Sequence, residues 1–190
     1  MSQEPLDANM QELASMLTNA RRDGAYMPGL APDMVPRDCA MAYRVADRVI
    51  HELAWETAGW KVAATSEDMQ RRLRSPEPIY GRVFRRFVWQ SPVELSFAPL
   101  LTPLVECEFA LEMGRSLPPR AKPYSRDEVA DAIAAVHPAI EVAECRFRDA
   151  DLPPIEGVLA DGSASGYLIL GERFEDWREL RLAAAPVRLY

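Results

Sequence analysis

A chain of 190 residues, 48% hydrophobic and 27% charged, has the size and composition of one globular domain with a sizeable core. Its net charge of −7 argues against nucleic acid and against an anionic membrane surface as partners. No apolar run reaches the length of a membrane span, and Met1-Ser2-Gln3-Glu4-Pro5 lacks the basic and apolar parts of a signal peptide. Cys39, Cys107 and Cys145 are scattered and show no C-x-x-C spacing, so neither a disulfide framework nor a zinc site is expected. The reading is a cytoplasmic protein, with Cys107 and Cys145 as buried reduced thiols.

In chain order, Met10, Leu13, Leu17 and Ala20 recur at helical spacing between Asp7 and Arg22, and Gly24 and Pro28 end that helix. A second helix is predicted from Arg37 to Glu56, with Ala42, Val45, Ala46, Val49, Ile50 and Leu53 as its buried stripe and Gly59 as its stop. Trp60–Ala64 reads as a short strand, Ser66–Leu73 as a short helix, and Tyr80–Trp89 as strand-like. Leu104–Leu111 is a strand that runs on to Gly114. Ser125-Arg126-Asp127-Glu128 is a capping box, predicted to open a helix carrying Val129, Ala130, Ile133 and Val136 and ending at His137-Pro138. A strand around Glu141 follows. Asp161–Gly166 is a polar loop, Tyr167–Leu170 an apolar strand, and Ala184–Tyr190 one more strand. Helices early and strands late indicate an α+β fold, with a helical region over 1–58 and a mixed β region over 59–190 acting as one structural unit.

The strand Leu104–Leu111 alternates, with Val105, Cys107, Phe109 and Leu111 on one face and Glu106 and Glu108 on the other. Two neighbouring carboxylates in an otherwise apolar strand repel each other and lose hydration. A divalent cation removes both costs, since hard oxygen ligands suit Mg²⁺, Mn²⁺ or Ca²⁺. Glu141, in the apolar run Pro138–Ala143, is a third candidate ligand. The competing reading is that Glu106 and Glu108 line the wet face of a half-exposed strand.

Several motifs, in order, resemble one family. These are Gly59-Trp60-Lys61-Val62 with Thr65-Ser66 and Met69-Gln70, then Glu77-Pro78-Ile79-Tyr80-Gly81, then Val105-Glu106-Cys107-Glu108. Pro138-Ala139-Ile140-Glu141-Val142, Ala160-Asp161-Gly162 and Leu170-Gly171 complete the set. Together they are similar to the 2-keto-4-pentenoate hydratases and 4-oxalocrotonate decarboxylases of the fumarylacetoacetate hydrolase superfamily. The resemblance implies a mixed β-sheet roll with helices around it. It also implies Mg²⁺ or Mn²⁺ held by Glu106, Glu108 and Glu141, with Lys61 in the active site. The implied substrate is a small 2-oxo or 2-hydroxydienoic acid from meta-cleavage of aromatic rings. The implied reaction is hydration of the dienoate, and decarboxylation of a vinylogous 2-oxo acid would use the same electron sink.

Three departures from the family pattern matter. Ile79 stands where many hydratases have an aspartate suited to proton transfer, with Glu77 two residues away. Ala164 stands where a serine is expected, leaving Ser163 and Ser165 as candidate hydroxyl donors to the substrate. The chain also stops at Tyr190, where family members continue, which suggests a fragment or a shortened relative. On these three grounds a non-catalytic partner subunit is a second reading, with a homo-oligomer or a homologous subunit as its association. The superfamily's carbon–carbon hydrolases use a His–Glu pair on a mobile segment, for which no counterpart is evident. His51 and His137 are expected to be structural, Glu112 a solvated residue, Trp60 and Trp89 packing residues, and Arg146 an anchor through a carboxylate contact.

Overall fold

The structure, a computed structural model, describes residues 5–188. Helix α1 spans Ala8–Asp23. Its Asp7 cap accepts from the Met10 amide, and Gly24 at φ 60° closes it in the left-handed conformation that glycine adopts without steric cost. Helix α2 spans Cys39–Leu53 and is capped in the same way by Asp38. The apolar stripes of α1 and α2 meet: Leu13, Leu17, Ala42 and Val45 are fully buried, together with Phe147 and Leu159 from later in the chain. A leucine so placed contributes about 1.5–3 kcal/mol by burial. The core continues past the helices, since Ala64, Ile79 and Phe84 belong to the same cluster.

Strand β1 (Thr57–Ala63) and strand β2 (Ile79–Phe84) form an antiparallel pair, connected through the short helix α3 (Glu67–Leu73). Strands β3 (Val88–Gln90), β4 (Leu104–Met113), β5 (Ile133–Ala143) and β6 (Tyr167–Leu170) form a second sheet in the order β3-β6-β5-β4. The β3–β6 pair is parallel and the other two pairs are antiparallel, so the sheet is mixed. Helix α4 (Arg126–Ala130) precedes β5, and helix α5 (Ile155–Ala160) precedes β6 and packs on α2. Helices against a mixed sheet are the α+β architecture expected.

Several local expectations are corrected. Helix α2 ends at Ala54, itself left-handed at φ 53°, while Gly59 lies inside β1. The capping box at Ser125 and Glu128 forms, but α4 stops after five residues, and Ile133 and Val136 belong to β5. Pairing with ten residues of β4 outweighs the helical preference of that alanine-rich stretch. Helix α5, which was not anticipated, begins behind Pro153 and Pro154, a favourable helix start. Leu182–Ala184 is a 3₁₀ turn, 185–188 is irregular, and the remainder of the expected final strand lies outside the described residues. Cys107 is exposed rather than buried. Trp60 is 52% exposed and stacks with the Arg82 guanidinium instead of packing in the core.

Candidate functional site

Antiparallel pairing places Glu106 directly opposite Glu141, and Glu108 opposite Ala139, so all three carboxylates fall on one face of the sheet. One oxygen from each lies within 4.8 Å of the others. Glu141, on the interior strand β5, is 3% exposed; Glu106 and Glu108, on the edge strand β4, are half-buried. Burial pushes the Glu141 carboxyl up to about 7; Lys61 opposes that rise, and Glu108 and Glu106 add to it. Glu108 is raised too, first by burial, with Lys61 opposing and Glu106 reinforcing the rise.

Lys61 enters from the other sheet. Along β1 its neighbours Trp60 and Val62 point outward, at 52% and 50% exposure, while Lys61 points inward at 8%. Its Nζ lies 3.2 Å from Glu141 Oε2 and donates to the Ser163 carbonyl at 3.3 Å. Lys61 is one of only two lysines among 22 basic residues, the other being Lys122. A chain that uses arginine elsewhere places a compact ammonium at this one buried position, and that scarcity was a signal in the sequence.

The turn that receives Lys61 is itself anchored. Asp161 is fully buried and accepts from Arg146 Nε at 2.9 Å and from the Arg146 amide at 2.9 Å. Arg21 Nε lies 3.5 Å from the same carboxylate. Arg146 therefore makes the carboxylate contact expected of it. Beyond Asp161, Ser163 and Ala164 sit at φ 57° and 56°. The Ser163 hydroxyl donates to the Tyr80 carbonyl at 2.6 Å, so its one proton is already committed. Ser165 is 3% exposed, and its carbonyl faces Arg21 and Arg146 at 3.4 Å. Ile79 is 5% exposed in the core, and Glu77 is exposed to solvent. Glu112 is exposed to solvent as expected, and it also binds Arg173 and lies 3.3 Å from the buried His137.

The three carboxylates fit a divalent cation. Glu141 Oε2 is a buried oxygen with no aligned hydrogen-bond donor among the described residues, although the Lys61 ammonium is close. Such an atom is costly to bury, and a cation ligated by three hard oxygen donors removes that cost. Among the described residues these three glutamates are the group whose ligand atoms converge in this way.

No family model matches the sequence. The chain is 27% identical over 187 residues to 2-keto-4-pentenoate hydratase of Burkholderia vietnamiensis, covering 96% of this chain and 70% of that protein. It is 28% identical over 184 residues to 2-keto-4-pentenoate hydratase 1 of Dechloromonas aromatica, covering 93% and 67%. Its fold matches 4-oxalocrotonate decarboxylase from Pseudomonas putida G7, complexed with magnesium and adipate, with a TM-score of 0.81 at 23% identity. That match covers 95% of this chain and 69% of the decarboxylase.

Proposed function

From its similarity to 2-keto-4-pentenoate hydratases along nearly its whole length, we propose that the chain belongs to the family of these hydratases and the 4-oxalocrotonate decarboxylases and is a hydro-lyase adding water to 2-hydroxy-2,4-dienoates to give 2-oxo acids. The observation that carries this reading is the convergence of Glu106, Glu108 and Glu141 within 4.8 Å beside the buried Lys61. Glu106, Glu108 and Glu141 would hold Mg²⁺ or Mn²⁺. When bound, the cation supplies Lewis-acid chemistry at an oxygen of the substrate. Lys61 offers its ammonium to the anionic acid, or a proton at Nζ. Ile79, at the position where many hydratases have an aspartate that is a candidate for proton transfer, is buried in the apolar core and offers neither a proton nor a charge. Ser163 lies beside Lys61 and accepts from its Nζ through the backbone carbonyl, whereas Ser165 is buried with its carbonyl facing Arg21 and Arg146.

The setting is the cytoplasm, in the breakdown of aromatic compounds. No helix among the described residues is long and apolar enough to cross a membrane. The open edge of β4 and the exposed Val105, Phe109 and Leu111 support a homo-oligomer or a homologous partner subunit, checked by sedimentation.

The test follows the ultraviolet absorbance of a 2-hydroxy-2,4-dienoate with Mg²⁺ or Mn²⁺ present. Protein-dependent decay is expected. Decay no faster than in its absence, from folded protein that binds metal, would reject the hydratase reading. Carbon dioxide released from 4-oxalocrotonate would move it to the decarboxylase.

A further inference from the structure

Lys61 is held in place by a turn of three consecutive left-handed residues, of which only the first, Gly162 at φ 75°, is a glycine. Two consecutive non-glycine residues, Ser163 and Ala164, occupy the left-handed region, a conformation that costs on the order of 1 kcal/mol each and persists only when its surroundings enforce it. Here the enforcing contacts are visible. The Ser163 hydroxyl binds the Tyr80 carbonyl on β2. The Ala164 carbonyl accepts from the Glu144 amide at 2.8 Å, just past β5. The Ser163 carbonyl, turned back by its positive φ, accepts from Lys61 Nζ. Gly81 is the residue opposite Lys61 in the β1–β2 pair, and it makes the close approach possible: a Cβ there would lie 2.1 Å from the Gly162 carbonyl oxygen.

We propose that Ser163 and Gly81 are positioning residues for Lys61: the Ser163 hydroxyl and the bare Gly81 backbone dock the left-handed turn on β2, and the docked Ser163 carbonyl aims the Lys61 ammonium at the glutamate cluster. This rests on Lys61 being the working cation of the site. It assigns the Ser163 hydroxyl to the protein's own backbone rather than to the substrate. Two different elements hold Lys61 Nζ, the Ser163 carbonyl by a hydrogen bond and the Glu141 carboxylate by an ion pair, so it is fixed from both sides. Losing the turn leaves only the ion pair, and the long side chain regains its freedom to rotate.

The two lysines make a direct experiment possible. Limited acetylation of the folded, metal-free protein with acetic anhydride, read by peptide mass, reports Lys61 against exposed Lys122 in the same tube. In the wild type Lys61 reacts far more slowly than Lys122. Ser163→Ala is expected to raise the Lys61-to-Lys122 ratio roughly three- to tenfold, the equivalent of one hydrogen bond. Gly81→Ala should raise it at least as much with Ser163 intact. Ser75→Ala is the matched control: it removes a buried hydroxyl-to-carbonyl bond of the same kind, to Glu77 at 2.7 Å, and should leave the ratio unchanged. An unchanged ratio in folded Ser163→Ala overturns the proposal, whether or not Gly81→Ala folds. A rise in Ser75→Ala equal to that in Ser163→Ala also overturns it, since general loosening would then be the cause. With dienoate, Ser163→Ala should lower kcat and leave KM nearly unchanged. A raised KM at unchanged kcat would return the hydroxyl to substrate binding and overturn the proposal. The labelling needs neither metal nor turnover, so a chain that guards Lys61 yet hydrates no dienoate would keep this inference while losing the hydratase reading.

Discussion

Two clusters of buried charge lie on either side of the Ser163 turn, and they are built on opposite rules. At Asp161 one carboxylate meets two guanidiniums and a backbone amide, with the Asp161 side chain fully buried and Arg21 and Arg146 each 5% exposed. Burial and the neighbouring Arg146 pull Arg21 down to about 10, yet it stays charged at any ordinary pH. At Glu141 three carboxylates share one ammonium, and an oxygen of the most buried carboxylate lacks an aligned donor. The first cluster is closed and satisfied within the chain, so its work is to hold the turn. The second is left with excess negative charge that the fold does not neutralise. Unsatisfied buried charge destabilises a fold, and its presence beside a well-satisfied cluster supports the proposal that a cation binds there.

The comparison breaks first at Asp161, where the largest effect is expected. Asp161→Asn keeps the shape and removes the charge that Arg146 and Arg21 share. Stability to urea should fall by about 3–5 kcal/mol, the cost of leaving a buried charge without its partner. A loss under about 1 kcal/mol would mean that water reaches the arginines, and the contrast between the clusters would disappear.

Glu141→Gln should do the reverse in protein freed of metal by a chelator. The Glu141 carboxyl is raised from 4.5 to about 7 by burial, so the folded state holds a proton that the unfolded state releases first. That contribution is whole below about pH 4.5 and is lost as pH rises toward 7, on the order of 3 kcal/mol across the window. The variant has nothing to titrate there, so its stability relative to wild type should climb from pH 4.5 to pH 7. Added Mg²⁺ should restore the wild type, by about 2.7 kcal/mol at a hundredfold excess over its Kd, and do little for the variant. Metal-free wild type whose stability holds level across that window would show that the cluster is neutralised from within, as Asp161 is.

What could be read from residues alone follows the same division. Glu106 and Glu108 were legible because strand alternation fixes their shared face whatever the strand pairs with. That Glu141 stands opposite Glu106 was not, since register is a tertiary property and a slip of one residue would turn Glu141 to the other face. The stretch from Ala130 to Val136 misled for a related reason: its apolar spacing suits a helix, and only the length of β4 available for pairing makes it a strand. The capping box was read correctly, because a cap is local chemistry. The left-handed conformation of Ser163 and Ala164 has no local signature, as neither is glycine, and depends on contacts to Tyr80 and Glu144 that lie far away in sequence. Asp161 showed its partner Arg146 only as an expectation of some carboxylate, and Arg21 not at all.

The smallest effect is expected at Glu112, a cluster intermediate between the two. Its carboxylate takes Arg173 Nε at 2.7 Å and Nη2 at 3.1 Å, and His137 Nε2 stands 3.3 Å away. These contacts tie β4 and β5 to the segment after β6, where Phe174 bridges to Val136. Hydrogen bonds from Arg173 and then His137 hold the carboxyl down to about 2, so its contribution is present above about pH 4.5 and is lost as pH falls toward 2. Glu112 and Arg173 are 43% and 40% exposed at the side chain, so water and salt screen most of that attraction. Glu112→Gln should therefore cost under about 1 kcal/mol at neutral pH, and less still in about 1 M salt, where the Debye length shrinks to about 3 Å. Near pH 2 variant and wild type should unfold alike, because the wild-type carboxyl is then neutral too. Urea unfolding at the two pH values and two salt concentrations resolves this. A salt-insensitive loss of about 2 kcal/mol or more would place Glu112 with Asp161, as a pair whose buried His137 cannot do without its acid.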